Sequence, residues 1–319
     1  MGAGAGVVIV AGLLQLASPL LNVQWQDDSA RTGRMLVIDV AVSPTMAPVR
    51  SIEVTLDDKA GIAMPSSKDR RRYRLLAPIE IEAAIAPLTL AIDVVLTDNE
   101  HLHWEKPIPL REGSYDNRKI TVSKKFTSPS KLQQKRAARE SKELSAVLET
   151  TSPERLWRGN WARPTVGVET SPFGTLRTYN KKRKSRHLGL DLDGDVGDAI
   201  VAGNRGRVMM AADRFYSGGT VVIDHGQGFI TMAFHMSRID VVAGQLVEKG
   251  ALLGAVGASG QVTGPHLHFT VKLANVSVDP HQLLGLDLSA DADDVAAPLI
   301  HQAAGPLTAS PPAPMPSTR

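Results

Sequence analysis

Gly264-Pro265-His266-Leu267-His268-Phe269 places two histidines two residues apart at the start of an apolar run. In a strand, residues i and i+2 face the same side, about 6.6 Å apart. His266 and His268 can therefore address one site, one as a ligand and the other toward a bound water. Pattern alone does not make such a site. His101-Leu-His103 repeats the spacing, but it sits between the turn residues Asp98-Asn99 and Trp104, and it reads as an exposed hairpin.

Five of the nine histidines lie between His187 and His268. Arg186-His187-Leu-Gly189-Leu-Asp191 sets an imidazole and a carboxylate four apart. Gly189 and the Gly/Asp-rich continuation argue against a helix. In a straight strand the pair would be about 13 Å apart, so a bend at Gly189 is needed to bring them together. Ala233-Phe-His235 supplies a further imidazole. There is no cysteine, which excludes disulfides, thiolate-ligated metals and thiol catalysis; any metal must be held by His, Asp or Glu. Two His and one Asp suit a catalytic zinc ion with one coordination position left for water, and nearby imidazoles can move protons at neutral pH.

Around these residues, short apolar strands separated by glycine turns run from Trp157 to Leu286. They include 199–202, 207–211, 220–223, 229–234, 252–256 and 268–272. Upstream, 35–42, 51–56, 79–82, 88–96 and 119–122 read as strands of a small antiparallel, immunoglobulin-like β-sandwich. The basic run Lys68–Arg74 reads as a solvated loop or edge strand. Residues 128–149 read as a connecting helix with Ser128 as N-cap and Pro129 at its first position. The expected fold class is all-β. Its expected divisions are 1–21 a signal peptide or membrane anchor, 22–126 the sandwich, 127–152 the helical linker, 153–286 the second β-sheet domain, and 287–319 a disordered Ala/Asp/Pro-rich tail. The apolar run Val7–Leu21 is shorter than a membrane span and has the length of a signal-peptide core, though neither Lys nor Arg precedes it.

At 319 residues, 43% hydrophobic and 22% charged, the chain is long enough for about two packed domains and is not disordered as a whole. The net charge of +3 and the lack of a reading motif or stacking platform argue against a nucleic-acid partner.

In order along the chain stand Ser171-Pro-Phe-Gly174, His187-x-Gly-x-Asp191, Val222-Ile-Asp-His-Gly-Gln-Gly228, His235-Met-Ser, Val247-Glu-Lys-Gly250, Gly254-Ala-Val-Gly257, Ser259–Phe269 and Val278-Asp-Pro280. Over residues 165–286 this order resembles the lysostaphin/LytM-type zinc metallopeptidases, the murein endopeptidases. The resemblance implies a compact β-sheet domain with a groove and one Zn2+ held by His187, Asp191 and His268. It also implies catalytic histidines at His235 and His266, peptidoglycan stem peptides as substrate, and a periplasmic or cell-envelope location with an inner-membrane tether as one form. The rival within the same resemblance is a non-catalytic wall-binding or hydrolase-activating protein; such members usually lose ligands, and all five key residues are retained here. His225 fits the family pattern as a structural strand-end residue. Gly257, Gly260 and Gly264 are expected to form tight turns that aim the His-x-His strand.

Three departures from the family pattern stand out. Ala233 replaces a common tyrosine two residues before His235. Arg177, Tyr179 and Asn180 stand where an arginine pair is usual and are candidates for positioning substrate or supporting an oxyanion. Lys181–Arg186 is unusually basic, and reads either as an attractor of wall-peptide carboxylates or as a solvated loop.

Overall fold

The computed structural model describes residues 13–17, 20–26, 30–66, 70–123, 126, 128–181 and 183–289. Most of the expected leader (1–12, 18–19) and of the tail (290–319) lies outside them.

The strands of the first half are Leu13–Ala17 (β1), Leu21–Gln26 (β2), Met35–Val42 (β3), Val49–Leu56 (β4), Lys59–Ala60 (β5), Ile62–Pro65 (β6), Arg72–Pro78 (β7), Leu88–Leu96 (β8) and His101–Ile108 (β9). They form two antiparallel sheets, β1-β2-β3-β7-β6 and β5-β4-β8-β9. Period-2 alternation explains their facing. Leu90, Ile92, Val94 and Leu96 of β8 are buried, and so are Leu36, Ile38 and Val40 of β3. Trp25 meets Trp104 edge-on across this core.

The other face of β3 is buried as well. Met35 and Val37 join Met64 and Leu76 in one cluster with Trp157, Leu190 and Leu192 of the second half. The two halves therefore share apolar packing.

Several elements differ from the sequence reading. Ile79–Glu82 is not a strand. Ile79 makes two backbone bonds to Gly33 and Arg34, and the chain then turns through Glu80–Ala83. The strand lies just upstream, where the arginines of the basic run masked the apolar residues Tyr73, Leu75 and Leu76. β7 is an inner strand, with Arg74 paired to Asp39 of β3 at 2.9 Å. His101 and His103 are exposed on edge strand β9, where His103 pairs with Asp93 at 2.7 Å.

The segment expected as a further strand of the sandwich, 119–122, instead leaves it. Asn117–Ile120 (β10) pairs in parallel with Leu176–Tyr179 (β12), which pairs in turn with Arg183–Arg186 (β13). The helix α1, Lys131–Leu148, begins two residues later than expected. Ser130 and Gln133 cap each other's backbone N–H groups, a reciprocal pair that Ser128 does not form. Leu144, Val147 and Leu148 pack on Val222, Ile230 and Met232.

The main sheet of the second half runs Glu169–Ser171 (β11), Leu190–Asp193 (β14), His266–Leu273 (β22), Phe229–Met236 (β18), Gly218–Gly226 (β17), Gly206–Arg214 (β16) and Leu246–Val247 (β20), with Val276–Val278 (β23) paired to β22. Ala199–Val201 (β15), Leu252–Ala255 (β21) and Arg238–Ile239 (β19) form a small second sheet. A short helix not expected from the sequence, Pro280–Gly285 (α2), is capped by Asp279. Its Gln282 bonds both the N–H and the C=O of Met35, tying it to the sandwich. Leu288, at the start of the expected tail, is fully buried in the same core. Among the described residues no helix is long and apolar enough to cross a membrane.

Candidate metal centre

Register places the cluster. β14 and β22 are antiparallel with Asp191 opposite His268 and Asp193 opposite His266. Alternate residues share a face, so His266, His268, Asp191 and Asp193 lie on one side of the sheet. His187 precedes β14 by a turn that returns its ring to Asp191. Nε2 of His187 lies 2.9 Å from Oδ1 of Asp191 and 2.9 Å from Nδ1 of His268; that Nδ1 is 2.8 Å from the same Oδ1. The three residues form a group whose donor atoms all lie within 4.8 Å of one another.

Gly189 makes this convergence feasible through space rather than through an unusual φ. A Cβ there would sit 2.6 Å from Nε2 of His268 and 2.7 Å from the Phe269 carbonyl. Gly257 is constrained in the same way, with Ser237 N 2.4 Å and His235 O 2.7 Å from where its Cβ would be. Gly260 adopts φ +77°. Gly264 has open space, and no close approach requires it.

The donor set fits a divalent cation. Nδ1 of His187 faces the Pro172 carbonyl at 2.8 Å; a carbonyl only accepts, so the proton is on Nδ1 and Nε2 presents a lone pair. That lone pair points at a carboxylate oxygen and at a second imidazole nitrogen, and one proton cannot satisfy all three. A single metal ion bound by them would. Burial lowers the pKa of His187 to about 4, which keeps the ring neutral as a ligand must be. Burial alone would raise the Asp191 carboxyl, but the adjoining His187 and His268 rings outweigh it and hold it well below the usual carboxylate range.

His235, next to last in β18, adopts a left-handed conformation, φ 65°, a strained arrangement for a non-glycine residue. Its N–H bonds Ser217 O and its Nδ1 donates to Ser259 O at 2.9 Å, leaving the Nε2 lone pair free. His266 donates from Nδ1 to Gly264 O and presents Nε2 in the same way, 3.7 Å from Oδ1 of Asp191. The two rings lie 4.9 Å apart. Burial and the neighbouring His268 lower His235 to about 3. Phe234, beside the Ala233 position, stacks on His268 at 5.3 Å and 6°.

The three candidate positioning residues separate. Arg177 bonds Oδ2 of Asp191 and the Ser171 hydroxyl, so it braces the carboxylate. Tyr179 lines the cleft in front of the cluster, which has a volume of about 440 Å3. Asn180 does not; its amide clasps the N–H and C=O of Val122, two residues past the end of β10. His225 is fully buried between Arg205 O and Thr231 Oγ1, edge-on to Trp161 and remote from the cluster's hydrogen bonds. Of the described side chains in the basic stretch, Lys181, Lys184, Ser185 and Arg186 do not line the cleft; Arg186 pairs with Glu82.

Sequence reasoning missed Thr270, whose Oγ1 is 3.0 Å from Nε2 of His268, and the carbonyls of Pro172 and Ser259 that set the tautomers of His187 and His235. Only Thr270 left a signal, as the next same-face residue after His268.

A family model for peptidase family M23 matches residues 185–280. Over 88 residues the chain is 40% identical to peptidoglycan DD-endopeptidase ShyA of Vibrio cholerae, covering 28% of this chain and 20% of that protein. It is 30% identical over 128 residues to the lipoprotein NlpD/LppB homolog of Pseudomonas aeruginosa, covering 40% of each. The matched stretches thus span less than half of either relative. A crystal structure from Pseudomonas aeruginosa assigned to peptidase M23 aligns over 80% of this chain and 95% of that one, at 28% identity and a TM-score of 0.60. Family match, solved neighbour and the placement of the His and Asp residues agree: residues 185–280 form a peptidase family M23 domain.

Proposed function

We propose that this chain is an exported zinc metalloendopeptidase of the cell envelope that hydrolyses peptide crosslinks of peptidoglycan. The observation that carries the reading is the convergence of His187 Nε2, Asp191 Oδ1 and His268 Nδ1 beside two imidazoles with free Nε2 lone pairs, in an open cleft. His187, Asp191 and His268 would hold the zinc ion. When bound, the ion supplies Lewis acidity, polarising a peptide carbonyl and lowering the pKa of an attacking water.

The remaining work falls to side chains. Nε2 of His235 or of His266 accepts the proton of the attacking water and returns it to the leaving amine. The protonated ring donates a hydrogen bond toward the oxyanion of the tetrahedral intermediate. Both rings are fixed by Nδ1–H donation to backbone carbonyls, so the free nitrogen is always Nε2. Arg177 holds Asp191 through its second oxygen, leaving Oδ1 for the ion.

The likeness to an NlpD/LppB homolog supports a second reading, a wall-binding or hydrolase-activating protein that retains the cleft without turnover. Digestion of defined muropeptides with mass analysis, alongside measured zinc content, separates the two. The expected result is about one zinc per chain and cleavage. His268→Ala should lose the metal; His266→Ala should keep it and lose turnover. Wild-type zinc content in His268→Ala overturns the ligand assignment. A zinc-loaded protein that cuts none of the muropeptides leaves the second reading standing.

A further inference from the structure

His235 sits at a bulge. Between the pairs Val221–Ala233 and Gly219–Met236, β18 carries two residues, Phe234 and His235, against the single Thr220 of β17. A non-glycine residue at φ 65° persists only where its surroundings over-determine it. The interrupted ladder does not do this, so the task falls to the hairpin turn 215–217 that joins β16 to β17. The Ser217 carbonyl accepts the His235 N–H at 2.8 Å, and the Tyr216 carbonyl accepts the Gln261 N–H at 2.8 Å. Ser259 accepts the Gly219 N–H at its hydroxyl and the His235 Nδ1–H at its carbonyl. Turn and loop 259–261 meet without slack: a Cβ at Gly260 would collide with the Tyr216 carbonyl, and one at Gly218 with the Ser259 hydroxyl. The backbone and the ring of His235 thus both depend on where this turn lies.

The turn is itself anchored by α1, which lies upstream of the M23 match at 185–280. Arg136 and Glu140, one helical turn apart, face it together. Glu140 Oε2 accepts the Phe215 N–H at 2.7 Å, and its Oε1 accepts from Arg136 Nε at 2.6 Å. Arg136 also reaches the Asp213 carboxylate at 3.0 Å, and the Arg214 guanidinium donates to the Glu140 carbonyl. Glu140 is the one buried residue of α1. Burying a carboxylate has a desolvation cost that an apolar side chain would not carry. What the carboxylate adds is direction, because it holds the Phe215 peptide group at one place. We propose that Glu140 is a positioning residue for His235, acting through the 215–217 turn, so that the catalytic unit of this chain begins at α1. This rests on the endopeptidase reading above. A reacting group misplaced by about 1 Å can lose about a hundredfold in rate, and loosening one anchor of the turn should cost about tenfold in kcat.

The test uses the full zinc-loaded chain, at a temperature where urea curves show every variant folded. Glu140→Ala should lower kcat on a defined muropeptide about tenfold, with KM and zinc Kd as in the wild type. Glu140→Gln keeps an oxygen for the Phe215 N–H and should recover most of that rate. Leu144→Ala, one turn further along the same helix, packs on Val222, Ile230 and Met232 instead of the turn, and should leave kcat unchanged. The NMR signals of the His235 amide and ring give a readout independent of turnover: they should move in Glu140→Ala and stay in place in Leu144→Ala. Wild-type kcat in Glu140→Ala, an equal loss in Leu144→Ala, or an unmoved His235 amide overturns the proposal. If the wild type cuts no muropeptide, the endopeptidase reading fails separately, and the His235 signals decide the coupling by the same criterion. Should Glu140→Ala not fold, Arg136→Gln, which removes the bond to Asp213, carries the same test with changes in the same direction.

Discussion

Replacing Gly189 with alanine would put a Cβ 2.6 Å from Nε2 and 2.7 Å from Cε1 of His268, and 2.7 Å from the Phe269 carbonyl. Neither neighbour can yield freely. The carbonyl belongs to β22, whose Phe269 pairs with Leu190 of β14. The imidazole is stacked on Phe234 and lies 3.0 Å from Thr270 Oγ1. Relief therefore requires a shift of the strand or a rotation of the ring out of its hydrogen bonds. Overpacking of this kind costs about 1–3 kcal/mol, and loss of the Thr270 contact adds about 1 kcal/mol. A displaced His268 should also weaken zinc binding about 10- to 100-fold, the usual cost of disturbing the groups that orient a ligand. Urea unfolding in chelator measures the first effect, and calorimetric zinc titration measures the second. Gly264→Ala, where nothing lies within 4 Å, is the control and should stay within about 0.5 kcal/mol of the wild type. A Gly189→Ala protein with wild-type zinc affinity and an unchanged urea midpoint would refute the claim that this glycine is required by close approach to His268.

Two further predictions concern groups outside the metal cluster. His225 is fully buried, and burial lowers its pKa from 6.5 to about 4. The unfolded chain therefore takes up a proton below pH 6.5 that the folded chain refuses until about pH 4, so this residue makes stability fall as pH drops through that window. The loss should reach about 2 kcal/mol between pH 6.5 and 5, and urea curves of His225→Gln should show a pH slope shallower by that amount; an identical slope would contradict the assignment. Glu140 is buried on α1, accepts the Phe215 N–H at 2.7 Å and pairs with Arg136 at 2.6 Å. Glu140→Ala should cost about 2–3 kcal/mol by leaving that N–H unsatisfied, whereas Lys142→Ala, at an exposed position of the same helix, should cost under about 0.5 kcal/mol in the same assay.

The parts of the fold legible beforehand are those with strong local patterns. β3, β8, β18 and β22 alternate or run apolar for several residues between turn signals, and each is found close to where the pattern puts it. The reading went astray where local pattern and tertiary context conflict. Ile79–Glu82 alternates like a strand but has a neighbour for only one residue of its length. Arg72–Pro78 looks like a charged surface, yet its arginines face Asp39 and solvent while Tyr73, Leu75 and Leu76 are buried. The segment 117–120 has strand composition, but composition carries no information about its partner, and the partner proved to be β12.

The same division runs through the site. Sequence by itself determined the chemical inventory: no thiols, His-x-His in a strand, an imidazole and a carboxylate flanking a glycine, and a lone histidine after a long apolar strand. These follow from residue type and from periods of two, which are local properties. Only the tertiary structure decided that Asp191 faces His268, that Arg177 braces Asp191 while Asn180 does not reach the cleft, and that the upstream strand β10 supplies part of its wall. Such relations depend on strand register and on contacts between residues far apart in the chain. The energies that fix them come from packing and from hydrogen bonds that no local window of sequence contains.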